Sequence, residues 1–199
     1  MSEIREPIKK TSIEKKERII KMGFELMCDN GYHNVSSVDI AKYAGVSTGI
    51  IYQYFNDKRD IFIAGCKDYA NRIMFPMLDI LDSEKITKDN LSSILEKIID
   101  SFILNHTMKT KSHEELMAMT YLDNEVAEIF NQNEILLTKQ IKDVLAKNGF
   151  NEEHLLEKVH LIIGIIDNYC HEVVYHQHKD LDYIVMKDEV INTIVDILK

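Results

Sequence analysis

Apolar residues recur along this chain at intervals of three and four, the spacing of one helix face, and no stretch shows the alternation of a strand. Ile20, Gly23, Phe24, Met27 and Cys28 form the first such face. Thr11 and Glu14 read as a capping box at its start, and Gly31 as the left-handed residue that ends it. A second start at Ser36, with Asp39 three residues on, leads into the short face Ile40, Ala41 and Ala44. Gly45 makes a turn, and Ser47 caps a third helix carrying Ile51 and Phe55. Asn56-Asp57 caps a fourth, which runs past Tyr69 to a kink or break at Pro76.

Beyond Pro76 the same period continues. Leu91, Ile94, Leu95, Ile98, Ile99, Phe102 and Ile103 stripe one helix after a start at Thr87. Leu116 to Leu122 make a shorter one, rich in methionine and aromatic residues. Val126, Ile129, Phe130, Leu136, Leu137, Ile141, Val144 and Leu145 stripe the next, closed by Asn148-Gly149. Asn151 opens another that carries the apolar run 161–166 and extends towards His178; the last spans about Asp182 to Leu198. The pattern predicts an all-α chain of about nine helices with no internal repeat. Pro7 and Pro76 are the only prolines, so little interrupts long helices.

Composition and charge narrow the classes of function. Apolar residues make up 45% of the chain, a globular value. No stretch approaches the ~20 consecutive apolar residues of a membrane span. The first residues, with Glu3, Glu6 and no apolar run, do not read as a signal peptide. Cys28, Cys66 and Cys170 lie far apart with no CxxC spacing and read as buried thiols in a reducing cytoplasm. The net charge of −9 argues against a nucleic-acid partner until its distribution is considered. Residues 1–60 hold ten Lys and Arg against nine Asp and Glu, whereas 61–199 hold fourteen against twenty-four. Within 1–21, Arg5, Lys9, Lys10, Lys15, Lys16, Arg18 and Lys21 stand against four acids. A protein that touches DNA with one end needs only that end basic; taken alone, the cluster is equally a solvated helix face.

Ser36 to Tyr54 has the layout of a helix-turn-helix. Ala41 lets the second helix approach closely, Gly45 makes the tight turn, and Thr48 to Tyr54 would project into a major groove. Asp39-Ile40-Ala41, Ala44-Gly45-Val46-Ser47, Gly49, Tyr52, Tyr54-Phe55, Lys58 and Ile61 stand at fixed spacing. This run resembles the TetR family of bacterial regulators, over roughly the first third of the chain; the helical remainder matches in architecture. The resemblance implies DNA binding, with Ser36 and Ser37 at phosphate and Thr48, Gly49, Ile50 and Gln53 on the recognition helix. It further implies backbone contacts from Tyr52 and Tyr54 and a phosphate contact from Lys58, which also lies at a helix N-terminus. Thr48 stands where many relatives carry Lys or Arg, and Ile50 where many carry Thr or Ser. Ile50 can touch a thymine methyl but cannot hydrogen-bond a base edge, so base readout rests chiefly on Gln53 and Thr48.

The resemblance also divides the chain by role: residues 1–58 as the DNA-binding domain and 59–199 as an effector-binding and dimerisation domain. In the family the last two long helices pair across a twofold axis, and Glu157 to His176 and Tyr183 to Leu198 are placed to do so. Gly164 within the apolar run permits close helix approach. Phe75, Met77, Phe102, His106, Met117, Met119, Tyr121, Phe130, Tyr169 and Cys170 are candidate lining for an apolar ligand cavity. Each is equally a plain core residue. Their bias points to a hydrophobic effector with an aromatic ring or acyl chain. His171 and His176 are five apart and so rotated off a common face, whereas Glu172 and His176 could pair; neither spacing calls for a metal.

No Gly-rich phosphate loop, Ser-His-Asp layout or catalytic carboxylate pair stands out, so neither an enzyme nor a cofactor is expected. The expectation is a cytoplasmic, nucleoid-associated homodimeric repressor that leaves a palindromic DNA operator when a small molecule binds. Two other classes stand beside it. One is an enzyme or carrier with a vestigial helix-turn-helix; the other is a DNA-binding structural or adaptor protein without an effector.

Overall fold

The computed structural model describes residues 7–199, so Arg5, Glu3 and Glu6 lie outside the described residues. Helix α1 (Lys10–Asn30) begins two residues earlier than a Thr11 cap would place it. Lys9 is its N-cap, no side chain caps it, and Glu14 sits 4.0 Å from Lys10 instead. Its buried face is Ile19, Gly23, Phe24, Met27 and Cys28; Ile20 is only half-buried, because Ile19 falls on the inward line. Gly31 ends the helix with a positive φ of 91°, but with ψ of 128° it is not the left-handed helical residue expected. The chain therefore leaves through a 3-10 turn, Tyr32–Asn34, before α2 (Ser37–Tyr43) and α3 (Thr48–Tyr54).

Helix α4 (Lys58–Met74) starts with Asp57 Oδ1 accepting from the Arg59 and Asp60 amides. It stops before Phe75, and α5 (Pro76–Asp82) restarts with proline in its first turn, where a missing N–H costs nothing. Of the kink or break expected at Pro76, the structure shows the break, which divides the fourth helix in two. The others are α6 (Leu91–Asn105), α7 (Thr110–Leu122), α8 (Asn124–Lys147), α9 (Leu155–Tyr175) and α10 (Tyr183–Ile197). Helix α7 starts six residues before Leu116. Helix α9 starts after His154, which takes a left-handed φ of 54°, rather than at Asn151, and stops short of His178. Among the described residues there is no strand, and no helix is long and apolar enough to cross a membrane.

The chain forms two compact units. The first holds residues through Ala70 together with Met108–Phe130, and the second Asn71–Thr107 with Asn131–Lys199. This grouping follows packing and differs from the division by role at residue 58, because α7 packs on α1. The first unit is built on a close approach of α1 to α4. A Cβ on Gly65 would collide with the Phe24 ring, and one on Gly23 would come within 2.7 Å of Ile61 and 3.0 Å of Ile40. The Phe24 and Phe62 rings then pack at a tilt with centroids 5.5 Å apart, while Ile40, Ile51 and Phe55 bury the inner sides of α2 and α3.

Charged pairs tie α7 to this frame. Lys109 (2.8 Å) and Ser112 reach Asp29, while Arg59 clamps Asp123 with two 2.8 Å bonds and Glu125 with a third. The Lys109 bond to Asp29 and the Arg59 bond to Asp123 hold both carboxyls below the ordinary carboxylate range. Titrating lower folded than unfolded, they support the fold at neutral pH and lose that support as pH falls through the carboxylate range.

In the second unit the inner face of α6, Ile94 to Phe102, packs against α9 and α10. Tyr169 donates to the Tyr183 carbonyl at 2.9 Å, and Asn148 accepts from the Ile86 amide, pinning the loop before α6.

The α1–α4 contact generates one expectation. Gly65→Ala should cost about 1–3 kcal/mol by overpacking, read as a lower urea midpoint at unchanged slope. An unchanged midpoint would mean that the two helices do not meet this closely.

Candidate nucleic-acid interface

The interface begins at the cap of α2. Ser36 Oγ accepts from the Asp39 amide at 3.2 Å while the Asp39 carboxylate accepts from the Ser36 amide at 2.9 Å, the reciprocal box anticipated from Ser36 and Asp39. The hydroxyl of Ser36 also donates to that carboxylate, so the side chain is committed to the cap, and Ser37 stands half-buried beside it. Gly45 makes the turn with φ of 65°. Ser47 is the N-cap of α3 by position, but its hydroxyl makes no cap bond.

Helix α3 divides by its period. Ile51 and Phe55 are buried at 0% and 3% exposure. Gly49, Tyr52 and Gln53, at i, i+3 and i+4, share the exposed side, flanked by the half-buried Thr48, Ile50 and Tyr54. A Cβ added to Gly49 would meet nothing but Ser47 Oγ at 3.9 Å. The fold therefore has no steric use for glycine at this place.

Lys58 is more constrained than its position in the sequence suggests. Its ammonium donates to the Tyr32 carbonyl at 2.6 Å and the Val35 carbonyl at 2.7 Å, and lies 4.6 Å from the centroid of the Tyr32 ring. An ammonium carries three donors, so these bonds leave one for a phosphate. The same bonds bring the start of α4 to the turn that leads into Ser36. Sequence reasoning missed Tyr32 and Val35 because the contact runs through their backbone carbonyls, which carry no residue-type signal. It also missed Glu115, whose carboxylate accepts from the Tyr32 amide at 2.7 Å across 83 residues of sequence. Val38 and Tyr43 on α2 are exposed at 61% and 49% and extend the same surface.

The candidate ligand residues do not come together as one set. Met117, Met119, Tyr121 and Phe130 belong to the first unit; Phe75, Phe102, His106, Tyr169 and Cys170 belong to the second, as does the buried Met77. Tyr121 is 89% exposed rather than lining a cavity, since the inner face of α7 is Ser112, His113, Leu116 and Met119. In the second unit Phe102 and His106 pack with ring centroids 4.3 Å apart, and His171 and Tyr175 complete the group. His106 Nδ1 bonds the Phe102 carbonyl at 2.7 Å, so that nitrogen carries the proton, and burial lowers its pKa. The imidazole is neutral, with Nε2 an acceptor. Burial likewise pushes the thiols of Cys66 and Cys170 up to about 12, and that of Cys28 further, so none is a reactive thiolate. Glu172 does not pair with His176; it accepts from the Tyr183 hydroxyl at 3.1 Å and lies 3.7 Å from His178.

The α2 cap is testable by stability alone. Ser36→Ala should cost about 0.5–2 kcal/mol of unfolding free energy, as loss of an N-cap does elsewhere. A thermal melt unchanged from the parent would show that the box does not hold α2.

Residues 19–64 match the family described as bacterial regulatory proteins, tetR family, a span that contains α2, the turn and α3. The chain is 26% identical over 183 residues to the fatty acid metabolism regulator protein of Bacillus subtilis (strain 168), covering 89% of this chain and 92% of the relative. Its fold matches a TetR-family transcriptional regulator from Mesorhizobium loti with a TM-score of 0.76 at 14% identity, over 96% of this chain and 98% of that one. It also matches the fatty acid degradation regulator FadR from Bacillus halodurans with a TM-score of 0.64 at 21% identity, over 91% and 94%. At these identities the structural likenesses speak for the fold alone. With the matched helix-turn-helix in place and a full-length relative beside it, this chain belongs to the TetR family and is a DNA-binding transcriptional regulator.

Proposed function

We propose that the chain is a homodimeric repressor, acting in the cytoplasm, that reads a palindromic operator and releases it when a small hydrophobic ligand binds. The observation that carries the DNA half is the outer side of α3. Gly49, Tyr52 and Gln53 are exposed together, and the glycine, worth about 1 kcal/mol less than alanine within a helix, answers no need of the fold. A groove wall approaching that close accounts for it. Gln53 and Thr48 read bases, Ile50 meets a thymine methyl, and Ser37, Tyr52, Tyr54 and Lys58 hold the backbone. Ser36 contributes by capping α2. Residues 1–58 carry this reading role, and 59–199 carry the ligand and the dimer.

Two half-sites require two heads. Helix α9 supports a dimer: Leu161, Gly164, Ile165 and Asn168 run at i, i+3, i+4 and i+7 along its outer side. With Met186 and Val190 of α10 and Glu134 and His160 they line an open groove of about 500 Å³. Leu161 is 62% exposed, and Ile184 and Val185 of α10 are exposed at 78% and 55%. Apolar side chains in such a row are costly in water and are covered by the same face of a second copy.

For the ligand, the second unit supplies an apolar, aromatic interior at Phe102, His106, Tyr169 and Cys170, with Phe75 half-buried. Two of the similar proteins carry names that refer to fatty acid metabolism or degradation. The ligand class we infer is an acyl chain, as the free acid or a thioester. To shift DNA affinity it must bind one separation of the two heads more tightly than the other.

Genome-wide selection of DNA by the purified protein, followed by titration of the recovered duplex with long-chain acids and acyl thioesters, tests the whole reading. A palindrome released by one of these ligands is expected; an operator indifferent to all of them would remove the acyl class. Leu161→Arg should yield a monomer on size-exclusion chromatography that binds one half-site weakly, whereas a dimer that survives it is not formed through α9. Lys58→Ala should weaken binding to every sequence and flatten the salt dependence by about one counterion. Gln53→Ala should relax preference at one position per half-site, at about 1–3 kcal/mol; a uniform loss would contradict a base-reading role.

A further inference from the structure

Lys58 reaches its position through a chain of contacts that ends on α7. Its ammonium holds the Tyr32 and Val35 carbonyls and faces the Tyr32 ring. The amide of the same Tyr32 donates to Glu115 Oε1 at 2.7 Å. One residue of the 3-10 turn is therefore gripped on one side by an acid from α7 and on the other by the cation at the start of α4. Helix α7 is itself tied down at both ends. Lys109 and Ser112 bind Asp29 at the close of α1, and Asp123 with Glu125 binds Arg59, the residue after Lys58. The Tyr32 ring also packs edge-on against Phe62 with centroids 5.0 Å apart, and Asn34 bonds back to the Gly31 and Asn30 carbonyls, but the Tyr32 amide itself is held by Glu115.

We propose that Glu115 is a positioning residue for DNA binding, acting through Tyr32 on Lys58. It fixes the amide on one side of the Tyr32 Cα, and through that residue the carbonyl on the other side that orients the ammonium, so that the third N–H is already aimed when a phosphate arrives. Without that bond the turn gains freedom that must be lost again on binding, and the loss appears as affinity. A carboxylate accepts this amide as part of a charge-assisted bond, while a primary amide can accept it through its own oxygen. The geometry thus asks for an acceptor at this place more than for a negative charge. This rests on Lys58 being a phosphate contact.

The test uses the full chain and a labelled duplex of random sequence, because a phosphate contact does not depend on an operator. Glu115→Ala should weaken binding about tenfold, as loss of one bond to a charged group does, and flatten the salt dependence by about one counterion. Glu115→Gln should return both to near the parent values. In the Lys58→Ala background, Glu115→Ala should add no further loss, since its effect passes through the missing ammonium. A Glu115→Ala variant that melts earlier but binds with the parent affinity and salt slope would make the residue structural only and overturn the proposal. So would additive losses in the double variant. A loss in Lys58→Ala without one in Glu115→Ala would overturn the proposal alone. A Lys58→Ala variant that binds like the parent would remove the phosphate role and the proposal with it.

Discussion

The close approach of α1 to α4 is the constraint from which the reading head follows. Gly65 leaves room for the Phe24 ring and Gly23 leaves room for Ile61 and Ile40, so two helices and the start of the helix-turn-helix converge on one small core. Larger residues at either position would push α4 outward. The bonds from Lys58 to Tyr32 and Val35 would lengthen, and the turn into α2 would lose its anchor. The outer surface of α3 is exact only because the inner one is fixed, through Ile51 and Phe55.

What the sequence could reveal follows the range of the interaction. The Ser36–Asp39 box, the turn at Gly45, the break before Pro76 and the inward face of α6 all depend on neighbours within about two turns of helix, where residue type and spacing carry the signal. The proposed Thr11 cap failed within the same range, because α1 extends back to Lys10 without a side-chain cap. The contacts that tie Glu115 to Tyr32, Asp29 to Lys109 and Arg59 to Asp123 span between 64 and 83 residues. Nothing local in those residues distinguishes a partner from a solvated charge. The ligand candidates failed in a different way. Methionine and aromatic residues mark apolar surroundings without saying which apolar surroundings. Only packing separates the exposed Tyr121 from the buried Phe102.

The uneven charge of the chain takes on meaning in the same frame. The acids Asp29, Asp123 and Glu125 belong to the unit that holds the helix-turn-helix, and each is paired with a cation of that unit. In these three pairs the negative charge is offset before a polyanion arrives. Arg59 serves this purpose with two partners at once.

Gly49 carries a consequence of another kind. Because space around it is open, a side chain introduced there would clash with nothing, and helix propensity would favour it by up to about 1 kcal/mol. The chain thus keeps a position on its outer surface where recognition can be altered at no cost to stability. A regulator of this design can acquire a new target by drift at that position, with no compensating change in its core.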